Sequence, residues 1–303
     1  MASPNDAARA SVERKGSKVA VAQMRSTGDI EANFETVASL VKDAASASCS
    51  MLFLPESFSF IGTRGSEGIA IADQLDGPLM GRYRQLARDH SIWLSLGGFQ
   101  ETSTEPNRLH NTHVIVNDSG DIAAVYRKIH LFDVDVPNGP KLLESASTAP
   151  GSELVVTDSP AGRLGVTTCY DLRFPQMYQQ LRFRHGAEIL LVPSAFTKTT
   201  GEAHWEVLLR ARAIECQCYV IAAAQAGRHN EKRESFGDAL IIDPWGRIVA
   251  RLEDPLAVGI ATAEIDLAAL QSVRTSMPVA QHRRYDIYGD SGASDGRGVR
   301  STL

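Results

Sequence analysis

Short strings recur in the same order in the two halves of this chain, and that repeat constrains the fold more than any other feature. MLFLPESF at 51–58 is answered by ILLVPSAF at 189–196, and WLSLGGFQ at 93–100 by YVIAAAQ at 219–225. VNDSGDIAAVYRK at 116–128 is answered by IIDPWGRIVARLE at 241–253, and KVAVAQM at 18–24 by RLGVTTC at 163–169. Asp29 is placed to cap a helix whose face carries Phe34, Val37, Val41 and Ala45, which makes the opening a βαβ unit. Asp118-Ser119-Gly120 and Asp243-Pro244-Trp245-Gly246 read as hairpin turns. Each copy is far longer than a solenoid repeat. The pattern therefore predicts two similar sheets, each covered by helices on one side. VAVA, LFL, ILLV and VIAAA are apolar at every position, as strands buried on both faces must be. The predicted fold class is α/β, a four-layer α-β-β-α sandwich built from two similar βαβ-containing halves.

With 303 residues, 43% apolar and 22% charged, the chain can bury a large core. Its net charge of -5 is spread over mixed acids and bases, which argues against a nucleic-acid or anionic-membrane partner. No apolar run reaches the roughly 18–20 residues of a membrane span, and MASPNDAARASVERKGS has no apolar signal core. A cytoplasmic location is expected. The boundaries expected are a disordered segment at 1–17, a single domain at 18–288 and a flexible, Gly- and Ser-rich tail at 289–303. Cys49, Cys169, Cys216 and Cys218 are too few for a disulfide framework and read as free thiols. The Cys216-x-Cys218 pair is too tight for a redox or zinc motif and is assigned to a buried strand.

In open α/β sheets reactive groups collect beyond strand ends. Glu56 ends LFLPE behind a rigid Pro55, Lys128 ends AAVYRK, and Cys169 ends LGVTTC. The position matching Glu56 in the second copy is Ser194, so the fold does not itself require an acid there. Burial is expected to raise the pKa of Glu56 towards that of a useful base. Lys128 and a helix N-terminus after Cys169 are expected to lower that of the thiol. Amide cleavage needs these parts: a strong nucleophile, a base that deprotonates it and later protonates the leaving amine, and donors for the oxyanion. Glu56 fits the base, Cys169 the nucleophile, and Lys128 with the Tyr170 N–H the oxyanion donors. A papain-like Cys-His pair lacks its sequence context. His110, His113, His130 and His204 have no metal-ligand spacing, so neither metal nor other cofactor is expected, and His130 and His204 read as hydrogen-bonded groups beside the site.

LPESF, YRKIHLFD and TTCYDLRFP, in this order, resemble the Glu-Lys-Cys motifs of the nitrilase superfamily of carbon–nitrogen hydrolases, from about Lys18 to Tyr288. PSAFTKTTGEAHWEVLLRARAIE and DPWGRIVA extend the resemblance. It implies a catalytic triad of Glu56, Lys128 and Cys169, with Glu144 beside the lysine to orient it or relay charge. It also implies a substrate pocket at Tyr170, Ser194, Phe196, Thr199 and His204. Within the superfamily, CYDLRFP, QCYVIAAAQ and GRHNEKRESFG are most similar to the branch that hydrolyses deaminated glutathione, with omega-amidases as the nearest sister. A substrate with a carboxylate at each end needs separated cations. Arg173 is expected to take the keto-acid end, and Arg228, Lys232 or Arg233 the distal one. Asp238 departs from the His that many relatives carry after the glycine, which leaves local packing or a pocket edge open there. A non-catalytic scaffold is the reading of another class, and the intact triad speaks against it. MPVAQHRRYDIY at 277–288 is too apolar and aromatic for a free tail, so a homodimer is expected, with a small-molecule amide as substrate.

Overall fold

The structure is a computed structural model that describes residues 16–135 and 141–289. Most of the segment expected to be disordered at 1–17, and all but Gly289 of the tail at 289–303, lie outside the described residues. Ser17 is an exception, because it already pairs in the first strand.

That strand, β1 (Ser17–Met24), shows how a continuous apolar run is used. Val19 and Val21 face one core while Ala20 and Ala22 face another. β2 (Met51–Leu54) divides in the same way: Met51 and Phe53 join the first core, and Leu52 and Leu54 the second. The second core is closed by α1 (Ile30–Ser46) and by α3 (Pro78–His90), which follows the short α2 (Gly65–Ala70). Asp29 caps α1 by accepting from Ala32 N at 3.0 Å. The helix buries Asn33, Val37, Leu40, Val41 and Ala44, one stripe at helical spacing. β3 (Trp93–Thr102), β4 (Leu109–Val116) and β5 (Ile122–Arg127) complete this side as antiparallel neighbours.

A small ribbon of β6 (Asp133–Asp135) and β7 (Lys141–Leu143) leads into the second half. There β8 (Val155–Ser159), β9 (Gly162–Val166), β10 (Ile189–Leu191) and β11 (Tyr219–Ala222) join β14 (Leu240–Ile242) and β15 (Ile248–Arg251) in a six-stranded sheet ordered β15-β14-β11-β10-β9-β8. α4 (Pro175–Phe183) and α5 (Lys198–Cys216) pack on it through Met177, Tyr178, Leu181, Trp205 and Leu209. The four layers expected from the sequence are present.

The halves are less alike than the repeat implies. The string YVIAAAQ does not form one strand in one sheet. After Ala222 the chain crosses over, and β12 (Ala224–Arg228) pairs in parallel with the end of β1, Gln23 opposite Ala224. β13 (Glu234–Phe236) pairs with β12, and β16 (Gly259–Ile265) runs antiparallel to β1. The first sheet thus gains three strands from the second half and has eight. The Cys216-x-Cys218 reading is also corrected: Cys216 ends α5, Gln217 caps it with a left-handed backbone, and Cys218 lies just before β11. All four cysteines are free and buried. α6 (Leu267–Ser276) and two single-turn helices, α7 (Val279–His282) and α8 (Tyr285–Tyr288), close the described chain. Ile287 and Tyr288 are 71% and 60% exposed, so 277–288 does present apolar surface. Among the described residues no helix is long and apolar enough to cross a membrane.

One buried histidine ties the two sheets together. His113 on β4 holds Ser95 Oγ at 2.6 Å through Nε2 and the Thr167 carbonyl at 2.9 Å through Nδ1. Burial lowers its pKa to about 4 from 6.5. His229, held between the Ser26 carbonyl and Ser235 Oγ, is also lowered by burial to about 4. The folded state therefore resists protons that the unfolded chain accepts below pH 6.5. Their stabilisation is complete above 6.5 and is lost as pH falls towards 4, by about 3 kcal/mol for each ring. The melting temperature should fall progressively from pH 7 to 4.5. A flat profile down to pH 4.5 would show that these rings titrate normally.

Candidate active site

Glu56, Lys128 and Cys169 start on three different strands and meet at one point. Glu56 leaves β2 through Pro55, Lys128 follows the last residue of β5, and Cys169 lies three residues past β9. They are 4%, 2% and 8% exposed. Lys128 Nζ lies 3.0 Å from Glu56 Oε1 and 2.9 Å from Glu144 Oε2. Glu144 is itself fixed by the Phe132 N–H, which donates to Oε2 at 2.7 Å. An ammonium held between two carboxylates is the arrangement that lets a lysine be buried while charged.

Sequence reasoning missed several supports of this cluster. Asn111 Nδ2 donates to Glu56 Oε1 at 2.9 Å and to Glu144 Oε1 at 3.3 Å, bridging the two acids. The Ala195 N–H donates to Glu56 Oε2 at 3.0 Å. Gln225 Nε2 holds the Glu56 carbonyl at 3.1 Å. Gly98 lies so close that an added Cβ would come within 3.0 Å of Glu56 Cα and 2.8 Å of Asn111 Oδ1. Hairpin register was the available signal for Asn111, since Thr112 opposite Arg127 places Asn111 beside Lys128.

Cys169 departs from the expected setting. It opens a 3₁₀ turn, Cys169–Arg173, and not an α-helix; α4 begins only at Pro175. Its φ of 49° puts a side-chain-bearing residue in the left-handed region, and its N–H is anchored to the Pro193 carbonyl at 2.9 Å. Among the described residues none accepts a hydrogen bond from the Tyr170 N–H, so it remains available to a developing oxyanion.

The protonation pattern also reverses the expectation. Burial pushes Glu56 up, but the Lys128 ammonium and a hydrogen bond from the Cys169 thiol outweigh it and hold the carboxyl below its usual range. Burial, reinforced by the Glu56 anion, pushes the Cys169 thiol well above its usual range, and Lys128 only partly opposes this. Burial works against the charge of Lys128, yet Glu144 and Glu56 hold its pKa well above the usual value. The resting arrangement is a neutral thiol beside a carboxylate and an ammonium. Such a site keeps the proton on sulfur until an electrophilic carbon arrives, and it can then pass that proton to Glu56 as the C–S bond forms.

Of the expected pocket residues, Tyr170, Arg173, Phe196 and His204 come together. The Arg173 guanidinium carbon lies 5.9 Å from the Tyr170 ring centre and 5.5 Å from that of Phe196, and Arg173 donates to His204 Nδ1 at 3.3 Å. His130 and His204 are hydrogen-bonded beside the site: His130 Nδ1 lies 2.7 Å from Asp171, and its ring stacks on Phe174 at 3.6 Å. Three others lie differently. The Ser194 hydroxyl is buried and donates to the Val192 carbonyl at 3.1 Å. Thr199 is exposed on the first turn of α5. Arg228 is exposed opposite Glu234, whereas the field of Arg233 reaches Glu56. Asp238 proves to be a packing group: it is buried, meets Arg251 through both oxygens at 2.5 and 2.8 Å, and its carbonyl accepts from Trp205 Nε1. A cleft of about 670 Å³ between the sheet edges β15 and β16 touches none of the cluster. Among the described residues no group of three or more His, Cys, Asp or Glu side chains is arranged to hold a metal ion.

Residues 18–275 match the carbon–nitrogen hydrolase family. The deaminated glutathione amidase of Bos taurus is 50% identical over 278 residues, covering 90% of this chain and 84% of that protein. The crystal structure of the Caenorhabditis elegans NitFhit protein superposes with a TM-score of 0.84 at 45% identity, over 91% of this chain and 67% of that one. Saccharomyces cerevisiae Nit3, a member of branch 10 of the nitrilase superfamily, superposes at 0.78 with 29% identity, over 89% and 97% of the two chains.

Proposed function

The chain belongs to the carbon–nitrogen hydrolase family and is a hydrolase of carbon–nitrogen bonds other than peptide bonds, and from that premise we propose that it hydrolyses deaminated glutathione to 2-oxoglutarate and Cys-Gly. The observation that carries the reading is the convergence of buried Glu56, Lys128 and Cys169 with the part-buried Glu144 in one cluster, in a chain half identical to a deaminated glutathione amidase.

The steps follow from the groups present. The Cys169 sulfur attacks the amide carbon while its proton passes to Glu56, and Lys128 with the Tyr170 N–H takes the negative oxygen. Glu56 then protonates the amide nitrogen, the C–N bond breaks, and Cys-Gly leaves behind a thioester. Water attacks the thioester carbon, giving its proton to Glu56. The C–S bond breaks, and that proton returns to sulfur as the acid departs. Glu144 holds Lys128 in place throughout. A scaffold without catalysis would have no use for a buried ammonium with two carboxylates, which is costly unless complete.

Recognition is assigned to Arg173 at the keto-acid end and to the 228–233 loop at the glycine end, where Arg233 is the cation whose field also reaches Glu56. Neutralising Arg233 should raise KM for deaminated glutathione about 10-fold or more and leave a short omega-amidase substrate nearly unaffected. Neutralising Arg173 should weaken both. A wild-type preference for the short amide, with Arg233→Ala neutral on both substrates, would make this an omega-amidase. The exposed apolar residues of 277–288 support a homodimer, which light scattering tests, and the cytoplasm remains the expected compartment.

A further inference from the structure

We infer that Asp171 is a positioning residue that locks the nucleophile turn of one sheet to the lysine-bearing strand end of the other. The side chain is fully buried and receives four hydrogen bonds. Oδ1 accepts from the His130 N–H at 3.2 Å and from His130 Nδ1 at 2.7 Å. Oδ2 accepts from Tyr126 Oη at 2.6 Å and from the Thr168 N–H at 2.8 Å. Two of the donor residues flank Lys128 by two positions on either side, and the third directly precedes Cys169.

The placement matters because Lys128 and Cys169 belong to different sheets. β5 lies in the eight-stranded sheet and β9 in the six-stranded one. Apolar packing between two sheets is non-directional. Hydrogen bonds from both sides to one carboxylate do have direction. Tyr126 reinforces the clamp, since its Oη also accepts from the Ile129 N–H at 3.2 Å. Burial, reinforced by the Asp171 charge, raises the Tyr126 pKa well above its usual value, so it stays a donor. The His130 ring is held flat against Phe174, at an interplanar angle of 8°. Asp171 touches neither Glu56 nor the thiol. It acts through the two segments that carry the reacting groups, on a scale where a misplacement of about 1 Å can cost about 10²-fold in rate.

This inference rests on Cys169 being the nucleophile, and the test separates the two claims. Asp171→Asn and Tyr126→Phe are compared with the wild type by kcat, KM, melting temperature and the rate of iodoacetamide alkylation at Cys169. Asp171→Asn should lower kcat about 10- to 100-fold with KM within about threefold, and slow alkylation about 10-fold. Tyr126→Phe removes one donor and keeps the ring, so it should shift kcat and alkylation the same way by about 3- to 10-fold. Variants that melt earlier yet keep kcat and alkylation within about twofold of wild type would overturn the role, leaving Asp171 a packing group. Should Asp171→Asn fail to fold, Tyr126→Phe decides by the same two readouts. A wrong nucleophile would instead appear in the wild type, as alkylation at another cysteine.

Discussion

Cys169→Ala should leave less than about one-hundredth of wild-type turnover, with an unchanged fold. The substitution removes the only atom able to form the thioester and deletes little volume from a polar site. Residual turnover above that level would assign the covalent step elsewhere. Alkylation sharpens the test, because the geometry makes a prediction that an activated-thiolate picture does not. All four thiols are pushed up by burial, so none is a standing thiolate. Cys169 differs in having the Glu56 carboxylate beside it to take its proton. It should therefore react fastest with iodoacetamide, and Glu56→Gln should slow that reaction. Were the reacting species a thiolate formed by prior ionisation, removing the Glu56 anion would ease that ionisation and speed the reaction. Faster labelling in Glu56→Gln would return the site to the activated-thiolate reading.

The parts of the site visible in the sequence were those fixed by local chain geometry. Pro55 behind a buried strand marks Glu56, and a Thr-Thr-Cys after LGV marks Cys169; both residues sit where a strand must end. Sequence order could not show the inter-strand partners. Asn111 looks like one polar residue in a half-buried strand until hairpin register sets it beside Lys128. The Ala195 N–H carries no side-chain signature at all. The same limit explains the reversed titration. Strand-end position told that Glu56 would be buried, which alone raises a carboxyl. The outcome depends on how close the ammonium and thiol come, and that is a tertiary distance. The repeat misled in one place for a related reason: YVIAAAQ has the composition of a single buried strand, but its Ala224 finds a partner in Gln23 of the other sheet.

Lys128→Ala should be the most damaging of the substitutions that leave the nucleophile in place. It removes the oxyanion cation, for a loss of at least about 10²-fold in kcat. It also strands the buried Glu56 beside the part-buried Glu144, with which it shares Asn111, as neighbours of like charge. Breaking a buried pair from one side costs about 3–5 kcal/mol. In the wild type, the lowered pKa of Glu56 contributes stability above pH 4.5 that is lost on acidification, and the raised pKa of Lys128 contributes below pH 10.5 and is lost in strong alkali. Between those limits the cluster holds its charges. Without Lys128 the largest force holding Glu56 down is gone while burial still pushes it up, so its pKa should rise from the lowered value. The variant should therefore lose less of its stability on acidification than the wild type does. Lys128→Met combined with Glu144→Gln removes the cation and one carboxylate together. It should recover much of the lost melting temperature and none of the activity. Recovery of kcat in that double variant, or near-normal kcat in Lys128→Ala, would show that the lysine serves the fold alone and that the oxyanion is held by backbone donors.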